Sequence, residues 1–188
     1  MNILILSLAL LIGISACIIE AYFIITYVRS GFGKYPPFIL SFGRAKNIVI
    51  KEAEKFLNQQ KDPIKVVDLG CGSGSLLLPL AKKFPQHHFI GYDWDKIPYL
   101  IAKYRTKKIK NISIYNCDFM KQNYTEAKLL LCYTGPSLKE ELGQKLHNEI
   151  PSGTLIISEA FELSHIPLKE IISAPTLKMP IKIFLYQK

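Results

Sequence analysis

An apolar stretch, Ile64-Lys65-Val66-Val67-Asp68-Leu69, runs straight into Gly70-Cys71-Gly72-Ser73-Gly74. The stretch has the length and β-branched content of a buried strand. Glycines at alternate positions let the backbone turn sharply and approach a ligand with no Cβ in the way. Leu76, Leu77, Leu80 and Ala81 then recur at helical spacing, so a helix with free N–H groups at its start follows the turn. A strand, a glycine turn and a helix in this order suit any nucleotide-like ligand. The same alternation continues down the chain. Strands are expected at His88–Tyr92, Ile112–Tyr115, Lys128–Tyr133 and Gly153–Ser158. A helix is expected over Ile97–Lys108, with Ile97, Leu100, Ile101 and Tyr104 as its apolar face. Ser137-Leu138-Lys139-Glu140 reads as a capping box opening a helix with Leu138, Leu142 and Leu146 on its inner side. An amphipathic helix at Arg44–Asn58 precedes the first strand, and strands near Leu168–Ser173 and Ile181–Tyr186 close the chain as a hairpin bent at Met179-Pro180. Alternating β and α elements with apolar strands predict an α/β fold with a mostly parallel sheet. The ligand of such a sheet lies at the carboxyl ends of its strands.

Acids stand at three of those strand ends. Asp68 lies two residues before Gly70, Asp93 ends the second strand in Gly91-Tyr92-Asp93-Trp94, and Asp118 follows the third in Asn116-Cys117-Asp118-Phe119. A carboxylate at the second position can accept both hydroxyls of a ribose. Each acid also has a plainer reading as a cap, a loop acid or an Asx turn. The glycine spacing is G-x-G-x-G, with Ser at position 75, which departs from the dinucleotide fingerprint and disfavours a nicotinamide oxidoreductase.

From Ile64 to the C-terminus these residues resemble the class I, seven-stranded methyltransferases that use S-adenosylmethionine (SAM). The resemblance implies a Rossmann-like fold with a C-terminal antiparallel strand. It also implies a SAM site in which Asp68 helps position the methionine amino group and Gly70, Cys71, Gly72 and Gly74 line the cofactor. By the same resemblance Asp93 holds the ribose, Trp94 packs beside the adenine, and Asp118 and Phe119 contact the adenine ring and its amine.

In this fold the acceptor pocket is shaped by the residues after the fourth strand, here Cys132-Tyr133-Thr134-Gly135-Pro136-Ser137. The Asn/Asp-Pro-Pro-aromatic motif of amino-methylating DNA and RNA enzymes is absent there, which counts against base N-methylation; other RNA methyltransferases lack it too, so a nucleic-acid partner is disfavoured with RNA left open. A narrower resemblance is to the small membrane-tethered protein-lysine methyltransferases of the ATP synthase c-subunit and adenine nucleotide translocase type, with their bacterial relatives. It rests on an N-terminal hydrophobic segment, Tyr35-Pro36-Pro37-Phe38, Pro136-Ser137, Ser158-Glu159-Ala160-Phe161 and the final strand Ile183-Phe184-Leu185-Tyr186. Cys71 and Ser73 depart from that family's usual Ser and Asp, and Asp93 from its usual Glu. Tyr133, Pro136, Ser137, Glu159 and Phe161 are the candidate acceptor-site residues. No catalytic base is identified.

From Ile3 to Val28 the single charged side chain is Glu20. A helix of that run is roughly 39 Å long, against roughly 30 Å of bilayer hydrocarbon. No Lys or Arg precedes it, and Ile18-Ile19-Glu20-Ala21-Tyr22 is a poor cleavage site, so an uncleaved transmembrane anchor is expected rather than a signal peptide. Positive charge begins at Arg29, which places the N-terminus outside and the remainder in the cytoplasm, as for a bacterial inner-membrane protein. The predicted organisation is therefore a transmembrane helix over 1–28, a linker over 29–43 and a methyltransferase domain over 44–188. The chain's net charge of +9 becomes +10 once Glu20 is set aside. A basic body suits anionic lipid or nucleic acid, and the run Lys103–Lys110 equally suits a solvated helix face. The four cysteines form no metal-binding spacing, so no metal site is expected. The favoured function is methylation of a lysine on a membrane-associated protein. A small-molecule or lipid methyltransferase, and a SAM-binding membrane subunit without activity, remain alternatives.

Overall fold

The computed structural model describes residues 3–29, 43–175 and 179–188. The chain divides into two compact units, Met1–Pro37 and Phe38–Lys188. In the first, α1 (Ile3–Arg29) is one continuous helix. Its segment Ile5–Ile25 has a mean hydropathy of 2.4, none of it buried, and is long and apolar enough to cross a membrane. Residues 30–42 of the expected linker, with Tyr35-Pro36-Pro37-Phe38, lie outside the described residues.

In the second unit α2 (Gly43–Leu57) turns Ala45, Val49, Ala53 and Leu57 inward. There follow β1 (Lys65–Leu69), α3 (Leu77–Lys83), β2 (His88–Asp93), α4 (Lys96–Thr106), β3 (Ile112–Asn116), β4 (Ala127–Cys132), α5 (Lys139–Glu149), β5 (Leu155–Glu159), β6 (Leu168–Ala174) and β7 (Ile181–Gln187). The strands form one seven-stranded sheet in the order β3-β2-β1-β4-β5-β7-β6. β1 to β5 are parallel, and β7 runs antiparallel between β5 and β6. This is the Rossmann-like arrangement expected, with the antiparallel strand near the C-terminus. Every residue of β5 is buried, as are Val66–Leu69 and Leu129–Cys132, because the middle of a parallel sheet is covered on both faces.

β1 is the switch point. Its neighbours are β2 on one side and β4 on the other, so the connections leaving it part in opposite directions and open a crevice at its carboxyl end. The amino-terminal edge is tied for stability. Asn111 Nδ2 donates to the carbonyls of Ala81, Phe84 and His87 at 3.0 to 3.1 Å, and buried His87 accepts the Ile64 N–H through Nδ1 at 3.2 Å.

Two local expectations are corrected. The apolar stripe of α4 does not face the core. Pro98, Ala102 and Thr106 do, while Ile97, Leu100, Ile101 and Tyr104 are exposed. Ser137, expected to open α5 as its cap, lies inside a 3₁₀ turn instead. Gly135, at φ +83°, leads into a 3₁₀ turn over Pro136–Leu138, and Leu138 precedes α5 with no side-chain cap. Glu140 instead reaches the loop after β5, where Ser164 Oγ and His165 Nε2 meet its carboxylate. The inner side of α5 is as expected, with Leu138, Leu142 and Leu146 buried.

Candidate active site

The turn after β1 holds its shape through its glycines and one acid. Gly70, Gly72 and Gly74 have φ of +79°, +54° and +72°, a region that side chains with a Cβ rarely enter. The N–H groups of Gly70 and Cys71 both donate to the Tyr92 carbonyl at 2.9 Å. The Gly72 N–H donates to Asp93 Oδ2 at 2.8 Å, and the Asp95 N–H donates to Asp93 Oδ1 at 2.9 Å. One carboxylate thus clamps the glycine turn to the loop after β2. A Cβ built on Gly70 would meet no atom within 4 Å, so the turn fronts open space.

Two residues that the sequence reading passed over complete this turn. A Cβ on Gly91 would lie 2.7 Å from Cys71 Sγ, so Gly91 makes the room that Cys71 occupies. A glycine inside a strand is the usual sign of such a close approach. Arg105, on α4, donates from Nη1 to the Ser73 carbonyl at 2.9 Å and to Ser73 Oγ at 3.1 Å. Nothing in the local sequence pattern pairs residues so far apart.

The floor of the crevice is acidic. Asp68, Asp93 and Glu159 are 3 %, 6 % and 3 % exposed. Burial, with the charges of Asp93 and Glu159 adding to it, pushes the Asp68 carboxyl up to about 8. Burial pushes Asp93 up to about 6 against the pull of the Asp95 and Gly72 N–H groups. The Asp68 side chain makes no hydrogen bond or ion pair with another described residue. A buried carboxyl among like charges is stabilised as the anion by an arriving cation. SAM carries an ammonium and a sulfonium, so the residues present fit it. Burial raises both neighbouring thiols, Cys71 and Cys132, the latter up to about 12, which holds them in the less reactive protonated form.

On the β2–β3 side, Asp118 Oδ1 accepts the Met120 N–H at 2.9 Å and caps a 3₁₀ turn over Phe119–Lys121. Phe119 is buried in that turn, which leaves its ring little surface for a ligand, while Trp94 is half-buried. Asn116 Nδ2 donates to the carbonyls of Asp93 and Trp94 at 2.9 and 3.0 Å, fixing the strand ends on which Asp93 and Trp94 stand.

On the β4–β5 side, Tyr133 and Phe161 stack with ring centroids 5.8 Å apart and planes at 20°. Phe161 is held there by a three-residue turn. Its N–H donates to the Glu159 carbonyl at 2.9 Å across Ala160, whose φ of +67° marks the strained form of the γ-turn. Ser158 Oγ donates to the Phe161 carbonyl at 2.5 Å. Burial and then the Glu159 charge raise the Tyr133 phenol, so that carboxylate and ring are within electrostatic reach. Thr134, between these features, is buried with Oγ1 lacking a partner among the described residues. Of the five acceptor candidates, Tyr133, Glu159 and Phe161 come together, whereas Pro136 and Ser137 lie on the exposed rim. An aromatic pair beside a buried carboxylate can receive an alkylammonium group.

Sheet order, glycine turn and strand-end acids define a class I SAM-dependent methyltransferase. The chain belongs to the ANTKMT methyltransferase domain family, whose sequence model matches residues 68–170, more than half its length. It is 26% identical over 141 residues to a protein-lysine N-methyltransferase of Saccharolobus islandicus, covering 73% of this chain and 87% of that protein. It is 30% identical over 122 residues to a carboxy-S-adenosyl-L-methionine synthase of a Nitratiruptor species, covering 61% of this chain and 48%, about half, of the synthase. Among solved structures, an RNA methyltransferase from Salinibacter ruber in complex with S-adenosyl-L-homocysteine superposes with a TM-score of 0.67. That match is 15% identical and covers 79% of this chain and 93% of the other, which speaks for the shared fold alone.

Proposed function

We propose that this methyltransferase is anchored in a membrane by α1 and methylates a lysine on a membrane-associated protein. The observation that carries the reading is the similarity to a protein-lysine N-methyltransferase across 87% of that protein's length. The acceptor side of the crevice agrees with it. A lysine with pKa about 10.4 must give up its proton before it can attack, at a cost of about 4 kcal/mol near neutral pH. The stacked rings of Tyr133 and Phe161 give its aliphatic arm an apolar wall, and the Glu159 carboxylate accepts an N–H that orients the nitrogen, the ammonium proton leaving to solvent. SAM, when bound, supplies a methyl group already activated on a sulfonium. Asp68 and the glycine turn hold the methionine end, Asp93 and Trp94 the ribose and adenine, and Asp118 caps the turn beside the adenine. In-line positioning between the two halves of the crevice then supplies most of the rate. The positive charges that begin at Arg29 favour an N-terminus outside and a cytoplasmic enzyme body, as in a bacterial inner membrane.

Incubation of the full chain with methyl-labelled SAM and host membranes tests the reading. The expected product is methyllysine in a membrane protein, absent from membranes of cells lacking this gene until the enzyme is supplied. Label recovered only in lipid, a quinone precursor or RNA overturns it.

A further inference from the structure

α4 packs on the sheet through its small residues and turns its large ones outward. Ile97, Leu100, Ile101 and Tyr104 are 51, 52, 42 and 70 % exposed. Their spacing of three, four and seven residues sets them in one stripe along the helix. Around the stripe stand Lys96, Lys103, Lys107, Lys108 and Lys110, and no Asp or Glu occurs from Lys96 to Cys117. None of these lysines is ion-paired with a described acid. Lys107 Nζ lies 4.2 Å from the centre of the Tyr104 ring, its stem along the stripe and its charge at the edge.

We propose that α4 docks on an anionic bilayer surface, with the stripe in the headgroup–acyl boundary and the lysines on lipid phosphates. Both halves of the surface choose this occupant. Aliphatic Ile and Leu offer nothing for bases to stack on, so a nucleic acid would use only the cations. A second copy would set one row of lysines against its like, on a body that already carries +10 outside residues 1–28. An anionic leaflet complements the cations and takes the apolar stripe to a depth of roughly 5–10 Å. The inference rests on the membrane-anchored reading above, since α1 brings this surface within reach of the leaflet.

Docking in this way bears on the active site. α4 begins where β2 ends, with Asp95 Oδ1 accepting the Ile97 N–H at 3.1 Å and the Asp95 N–H held by Asp93. Farther along the same helix, Arg105 grips Ser73 in the glycine turn. A helix fixed on the leaflet therefore fixes the cofactor turn, and with it the mouth of the crevice, relative to the membrane.

The test places a tryptophan on the stripe. The full chain carrying Leu100→Trp, with the native Trp94→Phe, is reconstituted into vesicles of phosphatidylcholine alone or mixed with phosphatidylglycerol, each with a lipid brominated on its acyl chains. The introduced indole is expected to be quenched strongly in anionic vesicles and weakly in zwitterionic ones. Molar salt should reverse the difference, as the screening length falls from about 10 Å to about 3 Å. Lys103→Glu with Lys107→Glu, which leaves the stripe intact, should abolish it. Absence of quenching in both vesicles, or quenching indifferent to those two charge reversals, overturns the proposal. So does protection of the indole only by a soluble protein, by RNA or by a second copy. Resistance of the same vesicles to alkaline extraction reads α1 separately. A chain that resists extraction with its indole unquenched keeps the anchor and loses the docked helix.

Discussion

The carboxylate of Asp93 has both oxygens engaged before any ligand arrives, one by the Gly72 N–H and one by the Asp95 N–H. Each oxygen keeps a second lone pair, so the ribose role and the clamp are compatible. Asp93→Asn puts an NH₂ against one of those two donors and leaves a buried N–H unsatisfied, at a cost of about 1–3 kcal/mol. Calorimetry should show SAM affinity falling at least about tenfold, which is the effect of about 1.4 kcal/mol. Melting should show a lower midpoint even without cofactor, and an unchanged midpoint would refute the clamp. Asp68 makes a different prediction, on pH. Its carboxyl rises from an ordinary 3.8 to about 8, so the cofactor-free folded chain binds a proton there that the unfolded chain releases. The stability this proton confers is full below about 3.8 and is lost as pH rises through about 8. The cofactor-free midpoint should therefore decline from mildly acidic pH toward pH 8. SAM, as a cation, favours the carboxylate, so its affinity should climb over the same window by up to about tenfold per unit for one released proton. Asp68→Asn should flatten both curves. The sequence made these acids legible because they end strands. It did not show that Asp93 binds backbone, because the Gly72 contact depends on how β2 lies beside β1.

Among the elements, α4 shows what periodicity leaves open. The spacing of Ile97, Leu100, Ile101 and Tyr104 identified a helix and one of its faces, but not which face meets the sheet. The answer lies in a close approach: a Cβ on Gly74 would lie 3.6 Å from Ala102 Cβ. Only small residues let the helix come that near the glycine turn, so Pro98 and Ala102 go inward and the larger residues outward. The start of α5 at Lys139, after a 3₁₀ turn, has a similar cause. Gly135 and Pro136 lead the chain into the 3₁₀ turn that holds Ser137, and the start of α5 is fastened from outside, by the Lys139 carbonyl accepting the Ser164 N–H at 3.2 Å and by Glu140. Gly143 is the condition for that fastening, since a Cβ there would stand 2.2 Å from the Ser164 carbonyl oxygen. Gly143→Ala must push the loop after β5 away from α5. It should lower stability by about 1–3 kcal/mol, as overpacking does. That loop follows directly on the turn holding Phe161, so methyl transfer should fall more than SAM binding. Equal binding and turnover in the alanine variant, read by calorimetry and initial rates, would show that α5 and the loop are not coupled.

For the whole molecule, local pattern marked each strand and the closing hairpin, while the strand order came from the family resemblance. The pairing of β7 with β5, which sets β7 antiparallel inside the sheet, joins distant segments that no short window encodes. The order matters because it puts Glu159, at the end of β5, across the crevice from the glycine turn at the end of β1. The proposed anchor adds a constraint of another kind, confining that crevice near one membrane. Tethering enzyme and substrate in one bilayer turns an encounter in solution into an intramembrane search, which raises effective concentration, with gains of roughly 10²–10⁴ known for linked partners. The full chain and a membrane protein that it methylates, co-reconstituted in the same vesicles, should therefore react far faster than the same amounts in separate vesicles. Substituting Glu159→Gln, which does not touch α1, should lower both rates and preserve their ratio. Equal rates from shared and separate vesicles would mean that α1 does not serve to gather enzyme and substrate. The lysine reading would then have to stand on the crevice alone.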